Sequence, residues 1–239
     1  PLAKAQDMAL KNMPKFKDFG GSLTSTIFIK GGLFDTVLNN LYLFIPLLTM
    51  GVISREMNNG TVKLLYSSPV KVRQIVLGKY LAIMTYNVLL LLLLGIFIVS
   101  GLLSIKSPDY GLLLAGCLGF YLVICAFTAF GMFMSSLSNY QVVSALATFM
   151  VIFILSRIGG LWQKYDFVRD LTYFLSLEGR AGTFLDGLIT TRDVSYFILI
   201  VGMFIAFTIL KLKFSRVLLP WYKKAAAYTA VFIIVLALG

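Results

Sequence analysis

Residues 54–80, SREMNNGTVKLLYSSPVKVRQIVLGKY, form a polar and basic segment between two long apolar segments. Within this basic segment, Asn58-Asn59-Gly60 predicts a tight turn, because these residue types tolerate the backbone conformations that turns need. Thr61 is placed to cap a short helix over residues 62–67. Pro69 prevents that helix from continuing, so the sequence predicts a short cross-helix followed by a break.

A second helix is predicted after the break, leading back into apolar sequence. Its apolar residues share one face, namely Val72, Ile75, Val76 and Tyr80. The opposite face carries Lys71, Gln74 and Gly78. This division is typical of an amphipathic helix that lies against other helices on one side only.

The chain as a whole is too apolar for a soluble protein. Of its 239 residues, 59% are hydrophobic, and the mean hydropathy is +0.90, whereas soluble domains contain roughly 45–50% apolar residues. We therefore predict an all-α, polytopic membrane protein with five full spans and a sixth run that the end of the sequence truncates. The spans are predicted at residues 33–53, 81–105, 111–134, 142–162 and 194–212, and the sixth run at 225–239.

The distribution of Lys and Arg predicts the orientation of the spans. If the loops alternate between two sides, the basic segment, the 135–141 turn and residues 211–224 fall on one side, and Glu56 is the only acid in those loops. The positive-inside rule places that side in the cytoplasm. The predicted organisation is then an extracytoplasmic segment (1–32), a transmembrane domain (33–212), and a cytoplasmic linker with the start of a further membrane helix (213–239).

The loop at residues 163–193 contains two short apolar groups separated near Gly179. Each group is too short to cross a bilayer. They predict two re-entrant or interfacial helices in the outer leaflet, and Phe184 in the second group is a candidate for an outer gate.

An ordered set of residues in the basic segment resembles the first cytoplasmic loop of ABC-2 type ABC transporter permeases. The set is an acidic residue, Gly-Thr, a leucine pair, Ser-Pro and Gly-Lys, found here as Glu56, Gly60-Thr61, Leu64-Leu65, Ser68-Pro69 and Gly78-Lys79. The likeness extends over about residues 33–212 and is greatest to the gliding-motility (Gld-type) and copper-maturation (Nos-type) permeases. In those permeases a further membrane helix precedes the region equivalent to residues 1–32, and we expect this first span to be missing from the given sequence.

The resemblance implies a permease subunit of an exporter in a bacterial inner membrane. ATP and Mg²⁺ would be bound by a separate P-loop ATPase, so no cofactor is expected in this chain. A second permease copy or a related permease would complete the pathway within the membrane lipid. The implied ATPase-coupling residues are Glu56, Gly60, Thr61, Leu64, Leu65, Tyr66 and Pro69, with Arg55 at the rim. The alternative interpretation of the segment is a basic loop that sets topology and contacts lipid headgroups.

Polar residues at membrane depth offer a second set of candidates. Asp35, Asn39 and Asn40 cluster at the outer end of the first predicted span, where they would mark a pathway entrance. The alternative is that Asp35 lies among the headgroups and the asparagines bond neighbouring helices. Asn87 in the second span is predicted to form an interhelical hydrogen bond.

Catalysis by this chain is not expected. It has no histidine, and we find no P-loop, no metal-ligand motif and no nucleophile motif. The chain has a net charge of +11, but its sequence contains no nucleic-acid-binding motif, so nucleic acid is not expected as a partner. Two other classes stay open: a membrane-embedded lipid-modifying enzyme, and a non-transporting membrane scaffold of a motility or secretion complex.

Overall fold

The computed structural model describes residues 28, 32–62, 70–102, 110–157, 190–216 and 220–238. Within these ranges the chain is helical and contains no strand. The described helices are α1 (Leu33–Thr49), α2 (Ser54–Asn58), α3 (Val72–Leu102), α4 (Tyr110–Leu137), α5 (Gln141–Arg157), α6 (Thr191–Arg216) and α7 (Trp221–Leu238).

Three of the described helices are long and apolar enough to cross a membrane. They are Val72–Gly101 in α3, Tyr110–Leu137 in α4 and Thr191–Ser215 in α6. The prediction of a multi-spanning helical membrane protein is therefore confirmed, while the count of five spans stays a prediction. The predicted outer helices at 163–193 lie outside the described residues.

One predicted boundary was wrong, and another falls inside a longer helix. The first predicted span, 33–53, contains helix α1 only as far as Thr49, because the chain turns over the next four residues before α2 begins. The second predicted span begins at residue 81, whereas α3 begins at Val72. The predicted amphipathic helix after the break and the second predicted span are thus one continuous helix, since no residue between them interrupts helical hydrogen bonding.

Helix α4 is the centre of the bundle. In its most apolar stretch 61% of residues are buried, compared with 17% in α3 and in α6. It packs against α1, α3, α5 and α6. By contrast, α3 exposes large apolar side chains such as Leu92, Ile96 and Phe97, which a lipid environment accommodates and water does not.

Small residues let α1 and α4 approach closely. A Cβ atom added at Gly131 would lie 2.8 Å from the Cβ of Thr49, and one added at Gly116 would lie 3.4 Å from the ring of Phe34. The Phe34 and Phe120 rings contact each other at 5.6 Å between centroids. Glycine at these two positions of α4 therefore leaves room for the side chains of α1.

The helix ends that the loop alternation assigns to one side do meet there. Ile53, at the start of α2, is hydrogen-bonded to Ser135 at the end of α4 and shares a cavity lining with Leu212 near the end of α6. Gly51 lies next to the side chain of Gln141 at the start of α5. The predicted grouping of these ends is confirmed, and the assignment of that side to the cytoplasm stays a prediction.

Candidate functional site

The basic segment begins with the short helix α2 and the turn that ends it. Asn59 N–H donates to the Arg55 carbonyl at 3.0 Å, and Gly60 N–H donates to the Met57 carbonyl at 3.3 Å. Gly60 has a φ of +71°, a conformation that costs an L-residue with a side chain about 1–2 kcal/mol. The predicted turn at Asn58-Asn59-Gly60 is therefore confirmed, and a glycine suits its position for a physical reason.

The start of α2 is capped from a distant helix. The Oγ of Ser135 in α4 accepts hydrogen bonds from the backbone N–H groups of Ile53 at 3.1 Å and Ser54 at 3.0 Å. The same hydroxyl donates to the Met50 carbonyl at 2.8 Å, to which the Ser54 hydroxyl also donates. Because the first N–H groups of a helix have no partner within it, Ser135 satisfies donors that the local sequence leaves open.

An ion pair joins α2 to α3. Lys79 Nζ lies 2.5 Å from Glu56 Oε1 and donates to the Val52 carbonyl at 2.6 Å. The two side chains are 22% and 32% exposed, so the pair is partly shielded from solvent. Lys79 thus binds both the Val52 carbonyl in the turn before α2 and the Glu56 carboxylate of α2.

An apolar cluster lies beneath these polar contacts. Ile53, Val76, Tyr80 and Leu212 are buried together, and Met57 and Val72 pack against them. The Tyr80 hydroxyl donates to the Cys125 carbonyl in α4 at 3.0 Å. The predicted apolar face of α3 is confirmed, because Val76 and Tyr80 are buried, Val72 and Ile75 are half-buried, and the residues predicted to lie opposite are exposed: Lys71, Gln74 and Gly78.

The outer surface of α2 and its turn faces away from the bundle. Arg55, Asn58, Asn59, Gly60 and Thr61 are exposed, whereas Ser54 is fully buried. The Thr61 hydroxyl donates to the Glu56 carbonyl at 3.3 Å, so Thr61 contacts α2. Its capping of a helix over residues 62–67 stays a prediction. This arrangement presents a polar ridge supported by three helices.

The structure brings together Glu56, Gly60 and Thr61 among the predicted coupling residues. Leu64, Leu65, Tyr66 and Pro69 lie outside the described residues, as does the candidate outer gate Phe184. Sequence reasoning missed Ser135 and the role of Lys79 in bonding Val52. No local signal marks Ser135 as a cap, because its partners lie 81 and 82 residues away.

The candidate pathway residues occupy the other end of α1. Asn39 and Asn40 are exposed, and the Asn40 amide donates to the Thr36 carbonyl of its own helix at 2.8 Å. This hydrogen bond lies within α1, and an interhelical bond of the asparagines stays a prediction. The backbone of Asp35 lies in α1 and its side chain is outside the description. These three residues lie in the first half of α1, away from the end that leads to α2.

Metal ligands are not clustered in the part of the chain that the structure describes. Those ranges contain no group of three or more His, Cys, Asp or Glu side chains able to hold a metal ion. The described part of the segment consists of a capped helix, an ion pair and an apolar base.

The fold is that of a multi-pass helical membrane protein, with the exposed polar residues of α2 and its turn on one side of the bundle. A family model described as "ABC-2 family transporter protein" matches residues 6–165, more than half of the chain, and the chain belongs to that family. Neither the comparison with curated proteins nor the one with solved structures gave a match. Members of this family are membrane components of transporters, are not themselves catalytic, and typically work with an ATPase subunit.

Proposed function

We propose that this chain is the permease subunit of an ATP-driven exporter and that the basic segment couples it to a partner ATPase. The observation that carries the proposal is the attachment of α2 to the membrane helices. Its N-terminus bonds α4 through Ser135, and its carboxylate bonds α3 through Lys79. A force applied to α2 therefore acts on several helices at once, as rigid-body transmission requires.

The ATPase contact is proposed at the leucine pair, Leu64 and Leu65, together with Tyr66. Gly60 and Pro69 would set the direction of the chain on either side of this contact. The exposed ridge, including Arg55 and Thr61, would supply polar contacts at the rim. ATP and Mg²⁺ would be held by the partner, and its closure would tilt the helices of this chain.

A second permease subunit, either a copy of this chain or a related permease, would form the other wall of the pathway. We place the complex in a bacterial inner membrane, by the resemblance to gliding-motility and copper-maturation permeases. Family membership argues against the lipid-modifying enzyme. Substrate-stimulated ATPase activity of the assembled complex would distinguish the transporter from a membrane scaffold.

The test is the double variant Leu64→Asp with Leu65→Asp, co-expressed with the proposed partner P-loop ATPase. We expect loss of ATPase co-purification with unchanged membrane insertion, because two carboxylates cannot enter an apolar docking cleft without large desolvation cost. A matched control is Leu137→Asp with Tyr140→Asp, which changes two exposed apolar side chains outside the segment. Equal co-purification of both variants with wild type would refute the coupling assignment.

A further inference from the structure

A cavity of about 290 Å³ lies between α1, α3 and α4, deeper in the bundle than the basic segment. Its walls are almost entirely apolar and include Leu41, Ile45, Leu91, Phe120 and Ile124, with Asn87 of α3 as the one amide among the lining residues. Asn87 follows Lys79 by eight residues, which places it about 12 Å further along α3. The cavity is thus distinct from the candidate coupling site.

Asn87 is unusual because its amide nitrogen is buried without a partner. The residue is 2% exposed, and its Nδ2 atom has no hydrogen-bond partner within the part of the chain that the structure describes. Among the described residues, the predicted interhelical hydrogen bond from this amide nitrogen is therefore not formed. A buried donor of this kind is costly unless something else accepts its hydrogen.

The walls restrict what that acceptor is. A buried water needs two to four polar partners, and the polar side chains of the lining, Asn87 and the 47% exposed Tyr86, only just reach that number. The remaining lining residues are apolar, so the cavity suits a largely apolar ligand better than a group of waters. An ionised ligand is disfavoured, because no charged side chain lines the described walls and an unpaired charge is expensive in an apolar site. A pure hydrocarbon would fill the space and leave the Nδ2 hydrogen unpaired.

The cavity opens toward the surface that faces lipid. Phe44 is 58% exposed and Tyr86 is 47% exposed, and both contribute to the lining. A ligand therefore enters sideways from the bilayer. The volume is near the lower end of small-ligand pockets, which begin at about 300 Å³, so it suits a carbonyl group with part of one chain.

We propose that this cavity binds the ester group and adjoining acyl chain of an uncharged lipid, with Asn87 Nδ2 donating a hydrogen bond to the ester carbonyl. The inference does not depend on the coupling proposal, since it rests on a different cavity and different contacts. It assigns Asn87 as the residue that selects an acyl ester over a plain hydrocarbon.

The experiment uses the full chain in lipid nanodiscs and two photoactivatable diazirine probes. One probe is a long-chain fatty-acid methyl ester, and the other is the hydrocarbon of the same length without the ester. Peptide mapping should place saturable labelling by the ester probe on α1 and α3. Asn87→Leu should weaken the apparent affinity for the ester probe about fivefold, the factor that corresponds to loss of about 1 kcal/mol, and should leave the hydrocarbon probe unchanged or better bound.

Two further variants keep the test decisive. Thr229→Leu replaces an exposed polar residue of α7, away from the cavity lining, and should alter neither probe. Leu91→Phe narrows the cavity while retaining Asn87 and should weaken both probes, which covers the case that Asn87→Leu fails to fold. Equal ester binding by wild type and Asn87→Leu would overturn the proposal. Absence of saturable labelling in wild type, as expected for a cavity holding water only, would overturn it as well.

Discussion

The long-range cap on α2 predicts a specific effect of Ser135→Ala. The change removes an acceptor used by the N–H groups of Ile53 and Ser54 and a donor to the Met50 carbonyl. The carbonyl keeps the Ser54 hydroxyl, but the two N–H groups belong to residues that are 2% and 0% exposed. At about 1–3 kcal/mol for each of the two orphaned buried donors, we expect α2 to be destabilised locally by about 2–6 kcal/mol.

The assay is amide hydrogen exchange of the purified permease in detergent or nanodiscs, followed over peptides that include residues 50–58. A loss of about 2 kcal/mol corresponds to exchange faster by about 30-fold, because each 1.4 kcal/mol is a factor of ten. Coupling of ATPase activity to transport should fall in the same variant, since α2 would no longer move with α4.

The neighbouring Ser136→Ala is the matched control. Ser136 is equally buried, but its hydroxyl donates to the Phe133 carbonyl within its own helix at 2.6 Å. Its removal leaves the carbonyl in an intact helical hydrogen-bond pattern, so exchange over residues 50–58 should stay near wild type. If Ser135→Ala and Ser136→Ala show the same exchange there, the capping argument is refuted.

Two other predictions concern the contacts around the segment. Lys79→Met should destabilise the α2–α3 junction more than Glu56→Gln, because Lys79 also bonds the Val52 carbonyl. Equal losses of stability in the two single variants would contradict the role given to the Val52 contact. In thermal unfolding, a double-mutant cycle should give a coupling energy between Lys79 and Glu56 of about 0.5–1 kcal/mol, and this energy should fall as salt is added. Gly131→Ala should lower stability by about 1–3 kcal/mol, because its Cβ would meet Thr49, the usual range for overpacking. Gly202→Ala, which meets nothing within 4 Å, is the control and should lie near wild type.

Part of the candidate site followed from residue pattern alone. The turn at Asn58-Asn59-Gly60 and the buried face of α3 were predictable, because turn conformation and helical periodicity depend on residues close in sequence. The gathering of the loop ends on one side was also predictable, because an apolar segment that crosses a bilayer must alternate sides. The end of α1 was not predictable, since the chain after Thr49 contacts α4 through the hydrogen bond from Ser135 to the Met50 carbonyl.

Composition and local pattern thus determined that this is a helical membrane protein with a patterned polar projection, because hydropathy and periodicity act over a few turns of chain. Only the tertiary structure decided that Ser135 caps α2, that Lys79 holds Glu56 and Val52, and that α1 is the helix against Gly131. It also decided that the Asn87 amide nitrogen has no partner in the described residues, where an interhelical bond was expected. Each of these depends on which segments, far apart in sequence, come within hydrogen-bonding or van der Waals distance, and pairing at that range leaves no periodic signal in the chain.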